Sequence, residues 1–275
     1  CKAAQPKRSL PSGPGAPTTD PEGSHGEGLA PLPSGTLPKQ PHIHVQIKRP
    51  WKGLPSHICL HQSKIWESLG TPLSDPTEEK HWRRLLHRAI NARNRHPKLT
   101  TQQKKCRLGC DCEESMLHIV ECRVARPLWS HIFGFCTTVL GTATPTNQTT
   151  AIIFNLWDRN NLGPVEARAL VRHAFGRYYA DSVAVAMKTK TNFSWQYTYR
   201  GALRNLEHAV RRYGQSVRLF TTWRQHTSRQ RHVPEEALTQ FKHLITFQPG
   251  GKSFQLTPAF QHALLEAENM IAQYH

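Results

Sequence analysis

The sequence predicts a mainly α-helical protein behind a disordered amino-terminal arm, and three observations support that prediction. Residues 1–47 are rich in Pro, Gly, Ser and Thr and contain no Trp, Tyr or Phe, so they lack the apolar area needed to offset the entropy of ordering. Beyond residue 75 apolar residues recur at helical spacing in segment after segment, several opened by proline at the first helical position. Strand-like stretches are few and short, no repeat of fixed period occurs, and neither standard glycine-rich phosphate loop is present.

Charge narrows the partners. The 275 residues carry 36 Lys plus Arg against 19 Asp plus Glu, a formal net charge of +17. Such a field concentrates polyanions, so RNA or DNA is the first partner to consider and a small-molecule substrate is not expected. No run of about 18 apolar residues exists to span a membrane. No charged-then-apolar leader follows Cys1, and the reading is of a piece whose start lies upstream. Of seven cysteines, Cys106, Cys110, Cys112 and Cys122 crowd into one short stretch. That spacing suits metal in a reducing compartment, nuclear or cytoplasmic, rather than a disulfide scaffold.

Four segments are expected along the chain: the arm over 1–47, an extended linker over 48–74, a basic helix with its cysteine cluster over 75–141, and a helical region over 142–275. Within the linker His57, Cys59 and His61 alternate and would share one face of a strand, a pattern ordinary for polar surface. Asp75 can cap a helix with Pro76 at its first position and Glu78 reaching back as capping-box partner. This helix is expected to run to about Asn94, burying Trp82, Leu85, Leu86, Ala89 and Ile90 as one stripe. From Lys80 through Cys110 there is no acidic residue. Arg83, Arg84, Arg88, Arg93, Arg95, Lys98, Lys104, Lys105 and Arg107 therefore accumulate uncompensated, and they are the candidate phosphate contacts. Further helices are expected from Pro127, from Pro164 through Tyr178, and over Trp195–Tyr213, Val217–Gln230, Pro234–Phe247 and Pro258–Tyr274.

The cysteine cluster carries the chemistry. Two cysteines close together on a tight turn can supply one edge of a tetrahedron. His118 and Cys122, four apart on a helix, project to the same side and supply the other. The predicted ligands are Cys106, Cys110, His118 and Cys122, with Cys112 as the alternative to Cys110. Gly109 suits the intervening turn. Four protein ligands fill the coordination shell of zinc, so a structural Zn2+ in a small CCHC knuckle is expected, with no open position to activate water.

The stretch from Cys106 to Trp129, with Glu114 and Ser115 ahead of His118 and then Cys122, Arg126 and Trp129, resembles the zinc-binding tail of non-LTR (LINE-type) retrotransposon reverse transcriptases. The preceding helix, with Trp82, Arg83 and Arg84, resembles the basic segment leading into that tail. The likeness covers Asp75 to Phe135. It implies a nucleic-acid-binding element that follows the polymerase domain and engages template RNA or target DNA.

The polymerase itself is not expected within these residues. The run Tyr178-Tyr179-Ala180-Asp181-Ser182 lacks the second aspartate of a Tyr-Ala-Asp-Asp turn, and Asp158, Glu166, Asp181 and Glu207 do not assemble a two-metal site. No Pro-Asp follows residue 122, as the endonuclease carried by some members would require. Phe193, Trp195, Tyr197 and Tyr199 could stack on bases beside Arg200, Arg204, Arg211, Arg212 and Arg218, but periodic aromatics on helices are usually core. The sequence thus reads as a non-catalytic nucleic-acid-binding tail. A divergent nuclease tail and a domesticated fragment acting in protein interaction are the rivals.

Overall fold

The computed structural model describes residues 62–68, 71–158, 161–226 and 235–273. The expected arm over 1–47, the alternating His57, Cys59 and His61, and most of the expected linker lie outside the described residues. The described residues belong to the unit spanning residues 44–275.

The architecture is mainly helical, with one two-stranded sheet. In chain order come α1 (Gln62–Glu67), α2 (Pro76–Leu86), α3 (Met116–Glu121), α4 (Arg126–Thr138), α5 (Gln148–Phe154), α6 (Val165–Ala186), α7 (Trp195–His226), α8 (Glu235–Thr239), β1 (Ile245–Phe247), β2 (Phe254–Leu256) and α9 (Pro258–Ala272). β1 and β2 pair antiparallel with Ile245 opposite Leu256 and Phe247 opposite Phe254.

α6 is the central helix and packs against α2, α4, α5 and α7. Its buried positions run almost without interruption from Glu166 to Gly176, so it is enclosed on all sides and has no single apolar stripe. The polar residues inside this stretch hold neighbouring elements. Arg172, 2% exposed, donates through Nη2 to the Ser68 carbonyl at 2.7 Å and to its Oγ at 3.0 Å. Its guanidinium lies 4.5 Å over the Trp82 ring. Burial first, and then the neighbouring Arg168, lower its pKa to about 10, so it stays charged at neutral pH. Burial lowers the His173 pKa to about 4, leaving a neutral ring whose Nε2 donates to the Leu73 carbonyl at 3.0 Å.

α2 starts as its sequence predicts: the Thr77 N–H donates to Asp75 Oδ1 at 2.8 Å, while the Glu78 side chain lies outside the described ones. Trp82, Leu85, Leu86 and Ile90 are buried, and Trp82 Nε1 donates to the Ile152 carbonyl at 3.1 Å. The expected continuation to Asn94 does not occur. The Arg88 N–H bonds the Leu85 carbonyl and the Ala89 N–H that of Arg84, a Schellman closure with Arg88 left-handed at φ +53. Ala89, expected in the stripe, is exposed beyond the helix end.

Five further expectations change. Gln62–Glu67 is helical where an extended linker was expected, and α5 forms where no element was expected. The two helices expected on either side of Gly214 are one continuous α7. Gly214 permits close packing here and makes no turn: a Cβ would sit 2.7 Å from Ile245 and 2.8 Å from Phe254. The helix expected over Pro234–Phe247 is instead the short α8 followed by β1. One hydrophobic core crosses the boundary expected between residues 141 and 142, joining Trp82, Ile119 and Trp129 to Phe154, Phe175 and Leu203.

Candidate metal centre and cationic surface

A short hairpin holds the first pair of cysteines. Lys105 bridges antiparallel to Glu113, the Cys106 N–H donates to the Cys112 carbonyl at 2.9 Å and the Glu114 N–H to the Lys104 carbonyl at 2.9 Å. At the tip the Gly109 N–H closes onto the Cys106 carbonyl at 3.1 Å, with Gly109 at φ +84, a conformation a side chain would strain. Ser115 then caps α3, its Oγ accepting from the His118 N–H at 2.9 Å, so the helix that carries His118 begins at a fixed point. Cys122 closes that helix. The Tyr178 hydroxyl donates to the Ile119 carbonyl at 2.7 Å and ties α3 to α6.

The ligating atoms of Cys106, Cys110, His118 and Cys122 all lie within 4.8 Å of one another. Cys122 Sγ is 3.7 Å from Cys106 Sγ and 3.8 Å from Cys110 Sγ, and Cys110 Sγ is 3.1 Å from His118 Nε2. These sulfurs are free thiols and not a disulfide. With Zn–S bonds of about 2.3 Å, the sulfur–sulfur edge of a tetrahedron is about 3.8 Å, and the two sulfur separations fit it. Cys112 is exposed and stands outside the cluster, contributing its backbone carbonyl to the hairpin. The Leu108 N–H also points at Cys106 Sγ, 3.4 Å away.

Burial and mutual hydrogen bonding set the protonation of the three thiols. The hydrogen bond to Cys122 and then burial push the Cys106 thiol up to about 12, and the same bond holds Cys122 below its ordinary value, while burial raises Cys110. Three sulfurs this close repel one another as thiolates, and a divalent ion among them lets all three ionise.

Beside the cluster sits a carboxylate that sequence reasoning gave no role. Glu114 is 1% exposed. It receives the Arg107 N–H at 3.0 Å, Arg107 Nε at 2.8 Å, the Arg107 Nη2 and the Arg93 N–H at 3.2 Å. Burial alone would raise its pKa, but the hydrogen bonds and charge of Arg107 outweigh burial and hold the carboxyl below its ordinary value. Arg107, expected among the phosphate contacts, is therefore turned inward, with a side chain 7% exposed. Asp111, Glu113 and Glu114 follow one another so closely in the sequence that nothing local marks which is buried.

The remaining basic residues vary in exposure. Arg84, Arg95 and Lys98 are exposed, and Arg88, Arg93, Lys104 and Lys105 are half-buried. Arg83, also exposed, pairs with Glu79 at 3.7 Å, and Lys105 with Asp111 at 3.7 Å. Arg93 Nη1 donates to the Lys105 carbonyl at 3.2 Å and fastens the loop after α2 to the hairpin.

No second group of three or more His, Cys, Asp or Glu converges among the described residues. Asp181 instead accepts from Lys190 and from the Thr198 hydroxyl, joining α6 to α7, and forms an ion pair with Arg177. Phe193 packs edge-on against Tyr178, and the Trp195 ring packs tilted against His131. Arg200 and Arg204 pair with Glu268, and Arg204 and Arg211 with Glu207. No helix among the described residues is long and apolar enough to cross a membrane. Comparison with known protein families, curated proteins and solved structures finds no match.

Proposed function

We propose that the chain binds one structural zinc ion through Cys106, Cys110, His118 and Cys122, and that the knuckle so formed presents a cationic surface to nucleic acid without performing chemistry of its own. The convergence of three sulfurs and an imidazole nitrogen within 4.8 Å of one another carries the reading. Thiolate and imidazole donors of this kind favour zinc over harder cations. A basic stretch free of acidic residues lies immediately before the cluster, so an ion that orders the hairpin also orders the loop fastened to it through Arg93 and Arg107. The likeness to the zinc-binding tail of LINE-type reverse transcriptases gives the reading a lineage: an element that follows a polymerase and engages template RNA or target DNA.

Elemental analysis of reduced, purified protein is expected to find one zinc per chain. Cys122→Ser should lose it and Cys112→Ser should keep it, and zinc retained in Cys122→Ser would refute the ligand set. Affinity for a mixed-sequence oligonucleotide should fall steeply as salt rises, because phosphate contacts release counterions. Affinity that does not change with salt would remove the nucleic-acid reading.

A further inference from the structure

Between the loop that follows α2 and the carboxy-terminal end of α6 lies an open groove of about 730 Å3. Its walls differ in character. Arg84, Arg93, His96 and Leu99 line it from α2 and the loop after it, whereas Val183, Ala186 and Met187 line it from the end of α6, and no acidic residue lines it among the described residues. Met187 is 69% exposed at the end of α6. The groove adjoins the metal cluster, because Arg107, which follows the ligand Cys106, forms part of its floor and is fixed there by Glu114.

A duplex fits such a groove poorly. It presents phosphates and base edges outward and keeps its base faces stacked, so the apolar wall would gain nothing from it. A single strand offers both parts at once, a phosphate and an unstacked base face. Tyr179 cannot serve as the stacking platform, since Phe175 lies nearly parallel to its ring at 6.2 Å and Arg107 lies over it at 5.8 Å. The available platform is aliphatic, with the Met187 thioether able to make a favourable contact with a planar ring. The volume is within the range of about 300–1,000 Å3 usual for sites that hold a small ligand.

We propose that this groove holds one unpaired nucleotide of a single-stranded nucleic acid, its phosphate on Arg84 and Arg93 and its base against Met187, Val183 and Leu99. The inference rests on the nucleic-acid reading above and adds to it a strand state and a binding site. RNA and DNA share the required chemistry, and the test separates them.

Fluorescence anisotropy of the full zinc-loaded chain against labelled oligo(U), oligo(dU) and a hairpin duplex of equal length is the measurement. Both single strands are expected to bind at least about fivefold tighter than the duplex, the scale of one buried base. A difference between the two single strands reads contact with the 2′-hydroxyl. Met187→Ser, at an exposed position that leaves the core untouched, should lower single-strand affinity by about fivefold, with duplex affinity and salt slope unchanged. Arg84→Ser should weaken both forms and reduce the salt slope by about one. If single strand and duplex bind alike and Met187→Ser has no effect, the groove proposal falls while phosphate binding stands. If neither form binds at low salt, the nucleic-acid reading falls with it. If an acidic amphipathic peptide binds in a Met187-dependent way and oligo(U) does not, the occupant is a protein segment and the proposal is overturned.

Discussion

Glu114 shows how one buried residue can fasten a hairpin to a neighbouring loop. Its carboxylate neutralises a buried guanidinium, receives two backbone amides, and sits between the cysteine hairpin and the cap of α3. Replacing it by Gln leaves the Arg107 charge buried without its counter-charge, and the expected loss is about 3–5 kcal/mol in urea denaturation. The pH dependence has a defined sign. The folded carboxyl is held below its ordinary value, so its contribution is complete above the unfolded pKa of about 4.3 and is lost as pH falls through the folded one. The stability gap between wild type and Glu114→Gln should therefore narrow in acid below about pH 4. A gap that does not change with pH would mean that Glu114 acts by shape alone. The cysteine and histidine cluster was legible at this scale because donor type and spacing are written in the chain. The buried carboxylate beside it was not, since burial belongs to the fold.

At the scale of elements, starts were easier to read than ends. Prolines announce α2, α4, α6 and α9, and Thr257 caps α9 through its side-chain oxygen, although the Asn147 cap of α5 was not read in advance. The ends of α2 and α6 were missed because their stopping residues, Arg88 and Lys188, are left-handed without being glycine, at φ +53 and +58, as is Asn155 at φ +57 after α5. Lys188 closes α6 as Arg88 closes α2, with the Thr189 N–H on the Ala184 carbonyl and its own N–H on that of Val185. Left-handed geometry costs an ordinary residue roughly 1–2 kcal/mol, so Lys188→Gly at this exposed site should stabilise the protein by about 1 kcal/mol in thermal or urea melts. Gly214 misled in the opposite direction. It sits inside α7 because β1 and β2 approach too closely for a methyl group. Gly214→Ala should cost about 1–3 kcal/mol by overpacking although alanine favours helix. A neutral or stabilising result would show that the hairpin can move aside.

For the whole molecule, the metal cluster belongs to the main core. Cys106, Cys110 and Cys122 share one hydrophobic cluster with Trp82, Tyr178 and Phe154, and Tyr178 bonds α3 directly. Stripping the metal with a chelator under reducing conditions should therefore lower the melting temperature by roughly 10 °C or more. A knuckle folding independently of the core would instead lose its metal with no shift in the main transition. The same continuity explains why the boundary expected near residue 142 does not appear in the packing. It separated the basic helix and cysteine cluster from the helices that follow, and order along the chain does not say what a segment packs against.

The sequence by itself determined the helical class, the positive field and the spacing that brings Cys106, His118 and Cys122 within reach of one ion, because composition, helical period and donor chemistry are local properties. Tertiary structure decided which second cysteine joins them, which arginine is neutralised inside and which remain outside, and where α2 ends. Each of those depends on burial against residues distant in the chain, and the free energy of burial is set only once those partners are in place.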